Sequence, residues 1–157
     1  MSEQHGRDDA RRPAPTDGID PRGPRAGAGM TALLLAAVIL LWTSPAALAL
    51  LAVVAGSFLL GAVRGAQGTW QAWVYRALIL PRIGPTEETE DPRPPRFAQT
   101  VGLVVTGSGV VLGLLGVAGA VPVAAALALV AAVLNAAFGL CLGCELYLLV
   151  RRVAPAR

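Results

Sequence analysis

Two cysteines and a glutamate are the residues whose types and spacing could do chemistry in this chain. Cys141 and Cys144 are its only cysteines, separated by Leu142-Gly143. Positions three apart lie on one face of a helix, which lets two thiols form a reversible disulfide or share one soft metal ion. Cysteine is also a small apolar side chain, common in buried helices, so packing is the competing reading. Glu145 follows directly and is the one ionisable residue inside an apolar run. Such a residue faces a bundle interior or water and marks a proton or substrate path. The plainer alternative is an interfacial carboxylate paired with Arg76, Arg151 or Arg152. A structural zinc takes four ligands, and the only histidine, His5, lies far off in the N-terminal tail; only a dimer could bring four thiolates together. There is no Ser/His/Asp set, phosphate-binding glycine loop or cofactor motif, so a conventional soluble-type enzyme is not expected and no cofactor is implied.

The elements that must position these residues are membrane spans. The 157 residues are 55% hydrophobic and 15% charged, too apolar for a soluble domain of this length. Apolar runs cover roughly residues 26–43, 46–63, 97–116 and 121–150. Thr43-Ser44-Pro45 separates the first two runs, and Gly119 to Pro122 forms the turn between the others. Each run is long enough to cross about 30 Å of hydrocarbon. The expected fold is all-α and polytopic: a disordered tail over 1–25, a transmembrane hairpin over 26–63, a connection over 64–96 with a short interfacial segment at 70–80, a second hairpin over 97–150 and a tail over 151–157. A continuous helix over 121–150 would be about 45 Å long, well beyond the bilayer core, so a break near Gly139 is expected. The break decides the electrostatics of the thiols. A helix starting there would place Cys141 in a first turn and lower its pKa, whereas the neighbouring carboxylate and a helix C-terminus would raise the pKa of the thiols and blunt their nucleophilicity.

All thirteen basic residues are arginine: five precede the first run, five lie between Arg64 and Arg96, and three follow Val150. Neither short turn carries one. The positive-inside bias therefore places both termini and the 64–96 connection in the cytoplasm, in a cell inner membrane. These arginines sit beside apolar runs and make no clustered basic face, which excludes nucleic acid as a partner. Asp20-Pro21-Arg22-Gly23-Pro24-Arg25 recurs as Asp91-Pro92-Arg93-Pro94-Pro95-Arg96, a shift of 91 − 20 = 71 residues, each copy just before a membrane pair. The recurrence predicts two parallel-repeat hairpins about an axis along the membrane normal. Carried onward, the shift sets Trp70 and Trp73 opposite Cys141 and Cys144. Aspartate before proline reads as a helix-start signal, and the arginines as anchors to lipid phosphate. Trp70, Trp73, Tyr75 and Tyr147 are expected at headgroup level. Gly109, Gly113 and Gly116 make a small-residue face for packing, within the bundle or across a homodimer, and Asn135 is expected to brace helices or the bend.

With the repeated D-P-R-x-P-R, Leu80-Pro81-Arg82-Ile83-Gly84-Pro85 and Asn135-Ala136-Ala137-Phe138-Gly139-Leu140-Cys141-Leu142-Gly143-Cys144-Glu145, the chain resembles the bacterial integral membrane family known as domain of unknown function 4395, over roughly residues 20–152. The resemblance implies four spans and no established activity. It also implies proximity to thioredoxin-like and sulfurtransferase proteins. Three functions follow from the sequence. The first is a membrane thiol-disulfide or sulfur-relay component in which Cys141 and Cys144 cycle, with Glu145 managing protons and a cytoplasmic thioredoxin-like or sulfurtransferase partner. The others are a small dimeric transporter with a path past Glu145 and Asn135, and a non-catalytic scaffold.

Overall fold

Asp-Pro-Arg starts a helix twice. In the computed structural model, which describes residues 18–153, Asp20 Oδ1 accepts the Arg22 N–H at 2.9 Å and Asp91 Oδ1 accepts that of Arg93 at 2.9 Å. These open α1 (Arg22–Leu40) and α5 (Arg93–Leu114). Ser44 Oγ accepts the Ala46 N–H at 3.2 Å and Pro45 fills the first helical position, which opens α2 (Pro45–Arg64). Glycines at positive φ, Gly116 at 78° and Gly119 at 80°, turn the chain into α6 (Ala120–Phe138). These four helices have 19 to 22 residues and are long and apolar enough to cross a membrane. At 1.5 Å per residue they are about 28–33 Å long, the thickness of the hydrocarbon core.

Packing crosses between the two halves of the chain. Helix α1 lies chiefly against α6, and α2 chiefly against α5, with α5 and α6 also adjacent. The core is Leu35 and Val38 of α1, Leu51 and Val54 of α2, and Ala124, Ala125 and Ala128 of α6. Alanines on α6 let α1 approach closely, which is how helices gain dispersion energy in lipid, where burial from water is no longer the driving force. Gly109 does the same for α5: a Cβ there would collide with Ala124, and one at Gly113 would fall 2.7 Å from Val121. Outward the pattern is inverted relative to a soluble bundle, with Leu33, Val53, Val104, Leu127 and Val130 all exposed. An apolar outer surface on four such helices is that of a multi-pass membrane protein.

The connection between the halves is largely helical. Gly65 at φ 84° leads into a single 3-10 turn, Ala66–Gly68. The Thr69 hydroxyl then accepts the Ala72 N–H at 3.2 Å and caps α3 (Trp70–Val74). A π-helical stretch, Tyr75–Ile79, joins it to α4 (Leu80–Ile83), and Gly84 at φ 72° ends the run. Among the described residues there is no strand. One isolated antiparallel bridge joins Ile19 to Glu90, with reciprocal N–H···O bonds of 3.0 and 2.9 Å. It puts the starts of α1 and α5 side by side at the end of the bundle that carries the described arginines.

Several boundaries differ from those read in the sequence. Of the polar tail over 1–25, residues 1–17, including His5, lie outside the described residues, whereas Ile19 is bridged and Arg22 to Arg25 already belong to α1. Proline-rich starts look like loops by composition but suit a first helical turn, so α5 likewise begins at Arg93, before Phe97. The segment expected over 70–80 runs on to Ile83. Arg151 and Arg152 end α7 (Leu142–Val153), and residues 154–157 lie outside the described residues.

Candidate functional site

The fourth apolar run breaks at Gly139. This glycine is left-handed, φ 68°, and its N–H and that of Leu140 close on the carbonyls of Asn135 and Leu134 at 3.0 and 3.2 Å. The chain turns there, and α7 starts again at Leu142. Cys141 is its capping residue. Cys141 Sγ accepts the Cys144 N–H at 3.3 Å, and its carbonyl accepts the Glu145 N–H at 3.0 Å. The two sulfurs are joined as a disulfide, Cys141–Cys144, with Cα atoms 5.1 Å apart. Of the two electrostatic alternatives, the helix N-terminus is the one realised. Glu145 shares that first turn.

Helix α7 is held against α5 at close range. Gly143 has the Ala98 Cα 2.6 Å from where a Cβ would be, and the Phe97 and Tyr147 rings pack with centroids 5.6 Å apart. Arg151 lies over Tyr147, 5.9 Å from its ring centre. Glu145 is exposed in the first turn of α7. The expected pairing with Arg76, Arg151 or Arg152 is not formed: the only ion pair among the described residues is Arg22–Asp20, and Arg76 donates to the Gln67 carbonyl at 3.1 Å.

The cysteines line a cavity of about 650 Å³ that opens into the arginine-bearing half of the bundle. Thr31, Phe58, Val105 and Ala128, one from each span, form its deep wall. Gln99, Asn135, Arg25 and Glu145 also line it. Asn135 therefore does two things: its carbonyl terminates α6, and its amide belongs to the cavity wall. Toward the turn end of the bundle, Leu35, Val38, Leu51 and Val54 are almost wholly buried, so the cavity closes on packed side chains.

Sequence reasoning missed the polar groups that shape this end. Gln71 of α3 is buried; its Oε1 accepts the Ser57 hydroxyl at 2.9 Å and its Nε2 donates to Thr31 Oγ1 at 3.3 Å. Thr31 in turn donates to the Gly27 carbonyl at 2.9 Å. The only signal in the sequence was a lone Thr and a lone Ser in apolar runs, with Gln71 between two tryptophans. Tyr75 also departs from expectation. Trp70 and Trp73 are exposed, but Tyr75 is 4% exposed and donates to Asp20 Oδ2 at 2.8 Å, while Arg22 bridges Asp20 to the Gly84 carbonyl at 2.9 Å. Burial alone would raise the Asp20 carboxyl, but the hydrogen bonds from the Arg22 side chain and backbone and from Tyr75 hold it below the usual carboxylate value. Burial, then the bond to Asp20, pushes the Tyr75 phenol upward.

The arginines of the two motif copies turn to helix ends rather than outward alone. Arg96 donates to the Ala62 and Val63 carbonyls at 2.8 and 2.9 Å, capping α2. The Arg25 guanidinium lies against Gly139 at the end of α6, 3.6 Å from where a Cβ would be. Thr69 and Cys141 each accept the N–H three residues on, at the starts of α3 and α7, and lie 141 − 69 = 72 residues apart, one more than the 71 of the motif. Gly116, expected on the packing face of α5, is instead the turn glycine that ends it. No curated protein and no solved structure matches the chain. The sequence profile described as Domain of unknown function (DUF4395) matches residues 19–152, from the Ile19 bridge to the last turn of α7, and the chain belongs to that family.

Proposed function

We propose that this protein is a membrane thiol-disulfide or sulfur-relay component. The observation that carries the reading is the Cys141–Cys144 disulfide at the capped start of α7, with both cysteines lining the cavity. Cys141 is the attacking sulfur, since the first-turn N–H groups favour its thiolate; Cys144 resolves the mixed disulfide; Glu145 exchanges protons at the exposed side of the helix. The partner is a cytoplasmic thioredoxin-like or sulfurtransferase protein. In this reading both termini face the cytoplasm, because the arginines gather at the end of the bundle where α7 lies. A Cys144→Ser variant is then expected to trap a mixed disulfide through Cys141, resolved by mass after alkylation, and the double serine variant none. Thiols that stay wholly reduced in native membranes under oxidant challenge would overturn the reading.

Two further points belong to the same proposal. The halves are a parallel repeat, supported by the reciprocal Ile19–Glu90 bridge, the paired aspartate caps and the exchanged arginine contacts at the ends of α2 and α6. The packed core at the turn end favours a closed reaction site over a through-path for transport. A homodimer would need a surface other than Gly109 and Gly113, which face Ala124 and Val121 inside the bundle.

A further inference from the structure

We infer that the cavity beside Cys141 and Cys144 binds a membrane quinone, the two-electron acceptor that reoxidises the dithiol; this rests on the thiol reading above. The cavity combines what such a molecule requires. At about 650 Å³ it is within the size range of small-molecule sites. Its wall changes character with depth. Asn135 and Gln99, whose amide groups can donate to carbonyl oxygens, line it together with the cysteines, whereas Val105, Ala128 and Leu127 line it further along the spans. Leu127 is eight residues before Asn135 on α6, so the apolar wall extends about 12 Å from the amide. Leu127 is also 62% exposed on the outer face of α6, so the cavity reaches the bilayer side of the bundle. A ring with two carbonyls and a prenyl tail matches that profile and arrives through lipid. The charged residues of the lining, Arg22, Arg25, Glu88, Glu90 and Glu145, lie with the cysteines at the arginine-bearing end, away from Leu127.

The step balances. The Cys141 thiolate adds to the quinone ring, and Cys144 attacks the Cys141 sulfur; the S–S bond forms as the ring–sulfur bond breaks. Two electrons pass to the ring. Its two oxygens gain one proton from the Cys144 thiol and one from water at the cavity mouth, giving quinol and the disulfide. The pair would thus take electrons from a cytoplasmic dithiol and deliver them into the bilayer.

The test uses the full chain, reduced, in phospholipid nanodiscs with decylubiquinone, whose fully substituted ring has no hydrogen to lose, so thiolate addition stays reversible and leaves no stable thioether. One quinol per disulfide is expected, and none from Cys141→Ser or Cys144→Ser. Asn135→Leu and Gln99→Leu should each raise the half-saturating quinone concentration at least about tenfold. Both variants should still be oxidised by glutathione disulfide, which shows that they are folded with reactive thiols. If wild-type protein is oxidised by glutathione disulfide but not by the quinone, this inference fails and the thiol reading stands; if neither oxidises it, both fail. Quinol formation with unaltered half-saturation in two folded cavity variants would refute the assignment of the site.

Discussion

A methyl group at Gly143 would sit 2.6 Å from the Cα and Cβ of Ala98, about 1 Å inside carbon–carbon contact distance. The obstacle on one side is backbone of α5, which is fixed in the bundle, so α7 must move. Overpacking of this kind costs about 2–3 kcal/mol, offset by roughly 1 kcal/mol from replacing a helical glycine with alanine, for a net of about 1–2 kcal/mol. Helix α7 packs mainly on α5 and only slightly on α6, so the cost should appear as undocking of α7 rather than unfolding of the spans. A penalty of that size raises the undocked population about 5- to 30-fold. Reduced Gly143→Ala protein in membranes should therefore alkylate at Cys144 about 5- to 30-fold faster with a bulky maleimide. Its thermal unfolding should change little. Gly56→Ala is the control, since a Cβ there meets nothing within 4 Å. Equal alkylation rates in Gly143→Ala and the parent, or equal acceleration in Gly56→Ala, would refute the close α5–α7 contact as the clamp on the cysteines.

Arg96→Ala removes two charge-assisted bonds to the end of α2 and should destabilise the chain by about 1–2 kcal/mol, read by thermal melting in detergent. Tyr75→Phe removes the donor to a part-buried oxygen of Asp20 and is expected to cost about 1 kcal/mol. Because the Asp20 pKa is lowered on folding, its contribution is present above about pH 4 and disappears as pH falls through the folded-state value; Asp20→Asn should abolish that acid-side loss in a melting series. Reporter fusions after Ser44 and Gly119 should read outside, and after Thr89 and Arg157 inside; a C-terminus outside would reverse the topology.

What could be read in the sequence was whatever depends on length, charge or local capping. The break at Gly139 is visible because thirty apolar residues cannot fit one crossing, and the Asp-Pro starts because the cap bond spans two residues. The functions of Arg25 and Arg96 were hidden, since each acts on a helix end contributed by the opposite half of the chain. Gln71 was hidden for a different reason: it meets Thr31 and Ser57, 40 and 14 residues away in its own half, and no periodicity links the three. Tyr75 shows the same limit: its hydroxyl is taken by Asp20, 55 residues away.

The crossed packing of α1 on α6 and α2 on α5 bears on how the chain is made. A ribosome releases the first hairpin long before the helices that cover it exist. Until Glu90 emerges, Ile19 has no bridge; until Arg96 emerges, the carbonyls at the end of α2 have no cap. The inserted first hairpin is thus a waiting half-structure, and the membrane insertion machinery must shelter it until the second arrives. By the same logic the two hairpins, translated as separate chains cut near Pro85, carry complementary surfaces and should assemble only with each other.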